Sequence, residues 1–303
     1  MVVFGGTHGD ETMGMEVVKV LLGVFGIHDV WGSATQESEL IQGDLYLGIG
    51  NPEAVKRGTR SVSGVRDLNR CFHEAFFESP EALALPDQQR AAELKDLLAR
   101  ADYFFDLHSV STKQTVPFVG VTTFSAAHRE ICRYIPVRYI VDVNSILGQD
   151  VGIPRKMVEQ TPTTCSWVNR HGGVGLCYEM GYQNDIASVP YALCVVVHLL
   201  EHVGVVDERF HQIFSFSSDQ NFIVSEQQVY RLVHCERNKF KNFHYADSRY
   251  TTSFLPVKTG ELIGTYQDKE EVRAYADGLL VFPSGPQTLR DNKSLFYLAT
   301  LVV

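Results

Sequence analysis

The spacing of apolar residues changes several times along the chain, and each change marks an element. Val2-Val3-Phe4 is a short apolar run that predicts a buried strand. It leads through the glycine-rich stretch Gly5 to Glu11 into residues 12–22, where apolar positions recur at helical spacing. Residues 88–101 place Ala91, Leu94, Leu97, Leu98 and Ala101 on one helical face, and residues 101–108 then read as a buried strand ending at His108. A strand after a helix predicts a parallel crossover. Residues 118–122, 139–143 and 176–180 are further strand candidates, and residues 189–202 a helix. This alternation predicts an α/β fold, its sheet covered by helices on both faces.

Elsewhere the pattern is irregular. Residues 44–49 alternate weakly into Gly50-Asn51-Pro52, a turn signal, and residues 58–65, rich in Gly, Ser, Thr and Arg, predict a loop. From Phe210 onward short runs of Val, Tyr, Phe and Thr are separated by turns such as Lys258-Thr259-Gly260-Glu261 and Ala276-Asp277-Gly278. The expected organisation is an α/β domain over residues 1–207 followed by a smaller all-β domain over residues 208–303, with no internal repeat or low-complexity segment.

Composition narrows the partners. The chain has 303 residues, 45% of them hydrophobic, which is enough to bury a sizeable core. Its 27 Lys+Arg against 36 Asp+Glu give a net charge of -9, which repels phosphate backbones and anionic membrane surfaces, so neither nucleic acid nor membrane is an expected partner. The six cysteines are scattered without a Cys-x-x-Cys pair and are expected to be reduced thiols in a cytoplasmic protein. No basic, cleavable apolar leader precedes Val2, so no secretory signal is expected. The longest apolar stretch, residues 191–206, is interrupted by His198, Glu201 and His202 and is too short and polar to span a bilayer.

Ligands in open α/β sheets bind beyond the carboxyl ends of the strands, and three polar segments fall at such positions: His8 to Glu11, Asp106 to Ser109, and Glu179 to Gly181. His8 and Glu11, three residues apart in a loop, can meet one cation. His108 can add a third ligand, and two imidazoles with one carboxylate are a donor set of catalytic zinc. Asp106, two residues before His108 on the same strand face, is placed to orient that imidazole. His-x-x-Glu also occurs by chance, and a strand-end glutamate at the surface explains Glu179 equally well when that residue is read alone. Arg70 beside Asn69 can hold a carboxylate with its guanidinium fork, but arginines in loops, Arg60 and Arg66 among them, are more often solvated surface charge.

Taken together, Gly5-Gly6-Thr7-His8-Gly9-Asp10-Glu11, Gly50-Asn51-Pro52-Glu53-Ala54, Asp67-Leu68-Asn69-Arg70, Asp106-Leu107-His108, and Tyr178-Glu179-Met180-Gly181 followed by Gln183-Asn184-Asp185 resemble the succinylglutamate desuccinylase and aspartoacylase family. The resemblance implies a zinc carboxypeptidase-like fold, with a mixed, mostly parallel sheet and a β-rich C-terminal region. It implies one zinc per chain on His8, Glu11 and His108, with Asp106 and Asp67 supporting the ligands and Glu179 as general base and acid. It further implies hydrolysis of a small N-acyl amino acid, Asn69 and Arg70 holding the α-carboxylate and Arg60 polarising the scissile carbonyl.

The chain departs from the family pattern in places. The loop between Arg60 and Asp67 is longer, which makes Arg66 a rival to Arg60. Arg170 lies near the family's arginine for a side-chain carboxylate, at a different spacing from Glu179. The aromatic and lysine positions that aspartoacylases use near the C-terminus have no counterpart, which counts against an acetylaspartate substrate. Two other readings share much of this pattern: a zinc carboxypeptidase acting on short peptides, and a metal-binding scaffold without catalysis. Association into a homo-oligomer is left open.

Overall fold

A computed structural model of the chain describes residues 1–78, 80–113, 115–143, 162–214, 226–239, 242–285 and 294–302. In chain order the elements are β1 (Val2–Gly5), α1 (Met13–Val24), β2 (Tyr46–Ile49), α2 (Pro52–Arg57), α3 (Glu74–Phe77), α4 (Pro86–Ala99), β3 (Tyr103–Val110), β4 (Phe118–Val121), α5 (Ala126–Cys132), β5 (Tyr139–Asp142), α6 (Thr164–Arg170), β6 (Val174–Tyr182), α7 (Ser188–His202) and α8 (Glu208–Ile213). Seven strands follow: β7 (Gln228–Arg237), β8 (Phe243–Tyr245), β9 (Leu255–Val257), β10 (Leu262–Tyr266), β11 (Glu271–Arg273), β12 (Gly278–Val281) and β13 (Ser294–Leu301). Among the described residues no helix is long and apolar enough to cross a membrane.

Among the described residues, ten strands form one sheet in the order β2-β1-β3-β6-β4-β5-β7-β13-β12-β9. The first seven pair in parallel except at β4–β6, whereas β7, β13, β12 and β9 are antiparallel to one another. Strands β11, β10 and β8 make a separate small antiparallel sheet. The fold is therefore α/β with a mixed, mostly parallel large sheet and a small C-terminal antiparallel one. Strands after residue 207 serve both sheets, since β7 pairs in parallel with β5 and extends the main one.

Alternation along the strands assigns the two faces. Val3, Phe105, Leu107, Leu176 and Tyr178 pack with Val17 and Leu21 of α1, Ile131 of α5 and Val196 of α7 in one core. Val2, Phe4 and Phe104 turn the other way, onto Ala91, Leu94 and Leu98 of α4 and Cys165, Trp167 and Val168 of α6. Asp106 and His108 continue the series of Phe104, so two polar side chains extend an apolar stripe at the end of the strand.

Two local features differ from the sequence pattern. Gly50-Asn51-Pro52 opens a helix instead of a simple turn: Asn51 accepts from the Ala54 N–H as the cap of α2, with Pro52 at a position where no N–H is required. Helix α6, absent from the periodicity reading, is capped by Thr163, which accepts from the Ser166 N–H, and its buried Cys165, Trp167 and Val168 close the second core.

Candidate metal centre

The strand order β1-β3-β6 brings the ends of three distant segments side by side. Beyond β1 the chain turns sharply through residues 8–11, closed by a Glu11 N–H to His8 carbonyl bond of 3.2 Å. Close packing holds this turn. A Cβ on Gly5 would lie 2.2 Å from the carbonyl carbon of Gly14 in α1, and one on Gly9 would lie 2.1 Å from that of Ala54 in α2. No side chain fits at either position, so both glycines follow from backbone approach.

The turn and the end of β3 converge on one carboxylate. His8 Nδ1 lies 2.8 Å from Glu11 Oε1 and His108 Nδ1 lies 2.9 Å from Glu11 Oε2, while the Ser109 N–H donates to Oε2 at 3.1 Å. The outer nitrogen of each ring faces an aspartate: His8 Nε2 is 3.3 Å from Asp67 Oδ1 and His108 Nε2 is 3.1 Å from Asp106 Oδ2. Asp106 is itself anchored by the Thr7 hydroxyl at 2.6 Å and the Thr164 hydroxyl at 2.7 Å. Donor atoms of His8, Glu11 and His108 lie within 4.8 Å of one another, and all three residues are buried.

Such a cluster suits a cation. Two inner nitrogens on a shared carboxylate, with an aspartate beside the outer nitrogen of each imidazole, make a donor set of the kind that zinc sites use. Burial pushes the Glu11 carboxyl up, but His8 and His108 pull it down by more, leaving it well below the ordinary range. Burial lowers His108, yet Cys177 and Asp106 hold it well above its ordinary value. Burial and Arg60 lower His8, while Glu11 and Asp67 raise it by more.

Glu179 sits on β6 directly across from His108 in the register. Burial pushes its carboxyl up to about 7, with His108 opposing the shift and Glu11 adding to it. Its Oε2 is buried without a hydrogen-bond partner. Glu179 is thus half-buried, with one carboxylate oxygen out of contact with solvent.

Arg60 reaches the same cluster from the irregular loop. It donates to Glu11 Oε1 at 3.1 Å and to Asp67 Oδ2 at 3.2 Å, and lies 3.0 Å from His8 Nε2, with 48% of its side chain exposed. Asn69 is buried; its Oδ1 accepts from the Thr164 N–H at 2.9 Å, leaving its amide nitrogen as the group it can offer. Arg70 spends one N–H on the Asn69 carbonyl at 2.7 Å. Arg66 stacks over Phe76, 4.1 Å from the ring centroid. Arg170 donates to Ser166 Oγ and the Phe72 carbonyl and pairs with Glu74 at 3.6 Å, none of which belongs to the cluster.

Three supporting residues were given no role in the sequence reading. Thr7 and Thr164 brace Asp106. Asp87, fully buried on α4, accepts from the Asn51 amide at 2.9 Å and from the N–H groups of Val62 at 3.1 Å and Ser63 at 2.8 Å, which ties the loop after Arg60 to the cap of α2. The only sequence signal for Asp87 was a charged residue at a helix start, which normally faces water.

A profile of the family described as "Succinylglutamate desuccinylase/Aspartoacylase catalytic domain" matches residues 1–186. A curated relative, "N-acyl-aromatic-L-amino acid amidohydrolase (carboxylate-forming) B" of Danio rerio, is 28% identical over 157 residues, 46% of each chain. "Probable aspartoacylase" of Acaryochloris marina is 29% identical over 128 residues, 40% of this chain and 38% of the relative. The matches thus span less than half the length of these relatives. In structure, succinylglutamatedesuccinylase/aspartoacylase from Rhodobacter sphaeroides superposes with a TM-score of 0.68 at 19% identity, covering 99% of this chain and 86% of that one. Murine aminoacylase 3 gives 0.66 at 18% identity, covering 99% and 94%.

Proposed function

The chain belongs to the succinylglutamate desuccinylase/aspartoacylase family, and from that membership we propose that it is a zinc-dependent amidohydrolase cleaving the acyl group from a small N-acyl amino acid. The observation that carries this reading is the convergence of His8 Nδ1 and His108 Nδ1 on the two oxygens of Glu11, with Glu179 the register partner of His108. Curated relatives are named as N-acyl amino acid amidohydrolases and aspartoacylases.

Zinc held by His8, Glu11 and His108 would supply a Lewis acid and lower the pKa of water to about 7. Glu179, half-buried beside His108, takes a proton from the attacking water and returns it to the departing nitrogen, since an amine leaves poorly as an anion. Arg60, already within hydrogen-bond distance of Glu11 and His8, stabilises the oxyanion; Arg66, held over Phe76, is its rival. Asn69 and Arg70 hold the α-carboxylate, and Arg170 a second acidic group where the substrate has one. Asp67 and Asp106 keep the two imidazoles oriented.

The reading places the protein in the cytoplasm, where its six free thiols stay reduced. It is tested by metal analysis of chain purified without chelator, together with a hydrolysis panel of N-acetyl and N-succinyl derivatives of acidic and aromatic amino acids. One zinc per chain and turnover of an acyl amino acid are expected. Turnover of dipeptides alone would favour a carboxypeptidase, and absence of zinc would overturn the reading.

A further inference from the structure

Beside the first cluster lies a second donor set. His108, Cys177 and Glu179 bring one nitrogen, one sulfur and one carboxylate oxygen within 4.8 Å of one another. The register accounts for the grouping: Asp106 pairs with Cys177 and His108 with Glu179, so all four side chains share a sheet face. On the other side of β6, Cys177 is opposite Gly120 of β4. Cys177 Sγ is 3.8 Å from Glu179 Oε1.

Two atoms of this set are buried without a hydrogen bond, His108 Nε2 and Glu179 Oε2. His108 is only 2% exposed, and Asp106 Oδ2 lies 3.1 Å from its Nε2. Buried polar atoms left in this state are costly unless something else satisfies them. Cys177 lies outside every motif that the first cluster accounts for.

We propose that His108, Cys177 and Glu179 form an alternative seat for a thiophilic divalent ion, such as cadmium or zinc in excess. Sulfur sets the class of ion, because thiolate favours soft and borderline metals over magnesium or calcium. On binding, the Cys177 S–H bond is replaced by a sulfur–metal bond and one proton passes to solvent, with no change of oxidation state. His108 belongs to both donor sets, its Nδ1 facing Glu11 and its Nε2 lying without a hydrogen bond, so an ion in the second seat shares that ring with the first. It also occupies the Glu179 carboxylate. Inhibition of the hydrolysis follows, and that consequence rests on the function proposed above; the binding itself does not.

The test is a cadmium titration of the metal-stripped chain, read by the ultraviolet thiolate-to-cadmium charge-transfer band. The wild type develops the band, and Cys177→Ser, folded by circular dichroism, does not; Cys177→Ala replaces it if the serine disturbs the sheet. Glu179→Gln weakens binding at least about tenfold, since even an outer partner of a metal ligand is worth that much. An undiminished band in the Cys177 variants, or none in the wild type, overturns the proposal. In a second arm, excess cadmium inhibits hydrolysis by the wild type but spares Cys177→Ser, and equal inhibition of both also overturns it. A chain that hydrolyses no acyl amino acid fails the functional reading, while the absorption band still decides the seat.

Discussion

Glu179 on β6 is the direct register partner of His108 on β3, so the general base and a metal ligand of the proposed mechanism are set one strand spacing apart. Neither can shift along its strand without moving the hydrogen-bonded ladder that carries both. The separation of base from ligand is thus a property of the sheet.

Glu179→Gln is expected to bind zinc as the wild type does and to lose about a hundredfold or more in turnover, because only the proton acceptor is removed. Metal analysis and steady-state kinetics on the same preparation check it. Near-normal turnover would remove Glu179 from that role.

His108→Ala should lose the metal. Asp106→Asn, which leaves the ligand in place but weakens its support, should cost roughly 10–100-fold in zinc affinity. Retention of one zinc per chain by His108→Ala would show that the ligand was misassigned.

Metal affinity should rise with pH. The folded-state pKa values of His8 and His108 are raised by their carboxylate and thiol neighbours, so the metal-free chain holds protons there that an incoming ion must displace. Affinity is therefore lost as pH falls through those values, and binding releases protons. Calorimetric titration in two buffers of different ionisation enthalpy measures the release, and identical apparent enthalpies would contradict it.

Arg60→Ala should lower turnover far more than it raises KM, by about 3 kcal/mol if it stabilises an oxyanion. Arg66→Ala separates the two arginines. Should it carry the larger loss in turnover, the oxyanion role passes to Arg66, despite its stacking on Phe76.

Asp87→Ala is expected to destabilise the fold by about 1–3 kcal/mol by leaving buried donors unpaired. It should also lower turnover by loosening the loop that carries Arg60, since Asp87 receives the N–H groups of Val62 and Ser63. Urea unfolding and kinetics measured side by side check both. A variant with unchanged stability would mean those donors find other partners.

Much of the local architecture was legible in the chain itself. Short apolar runs and period-3.6 patterns located β1, α1, α4, β3, β6 and α7 because the core rewards those patterns wherever the elements pack. The motif residues His8, Glu11, Asp106, His108 and Glu179 could be singled out because they fall in polar segments at or just beyond apolar strands and together resemble one family's pattern. Which partner each one finds was decided by the tertiary structure. Strand order β1-β3-β6 sets His8, His108 and Glu179 side by side, and order arises from crossover packing that no local pattern encodes. Asp87, Thr7, Thr164 and Cys177 could be given no role from the sequence for the same reason: a short polar side chain becomes a brace or a ligand only once a distant segment comes within hydrogen-bonding reach of it.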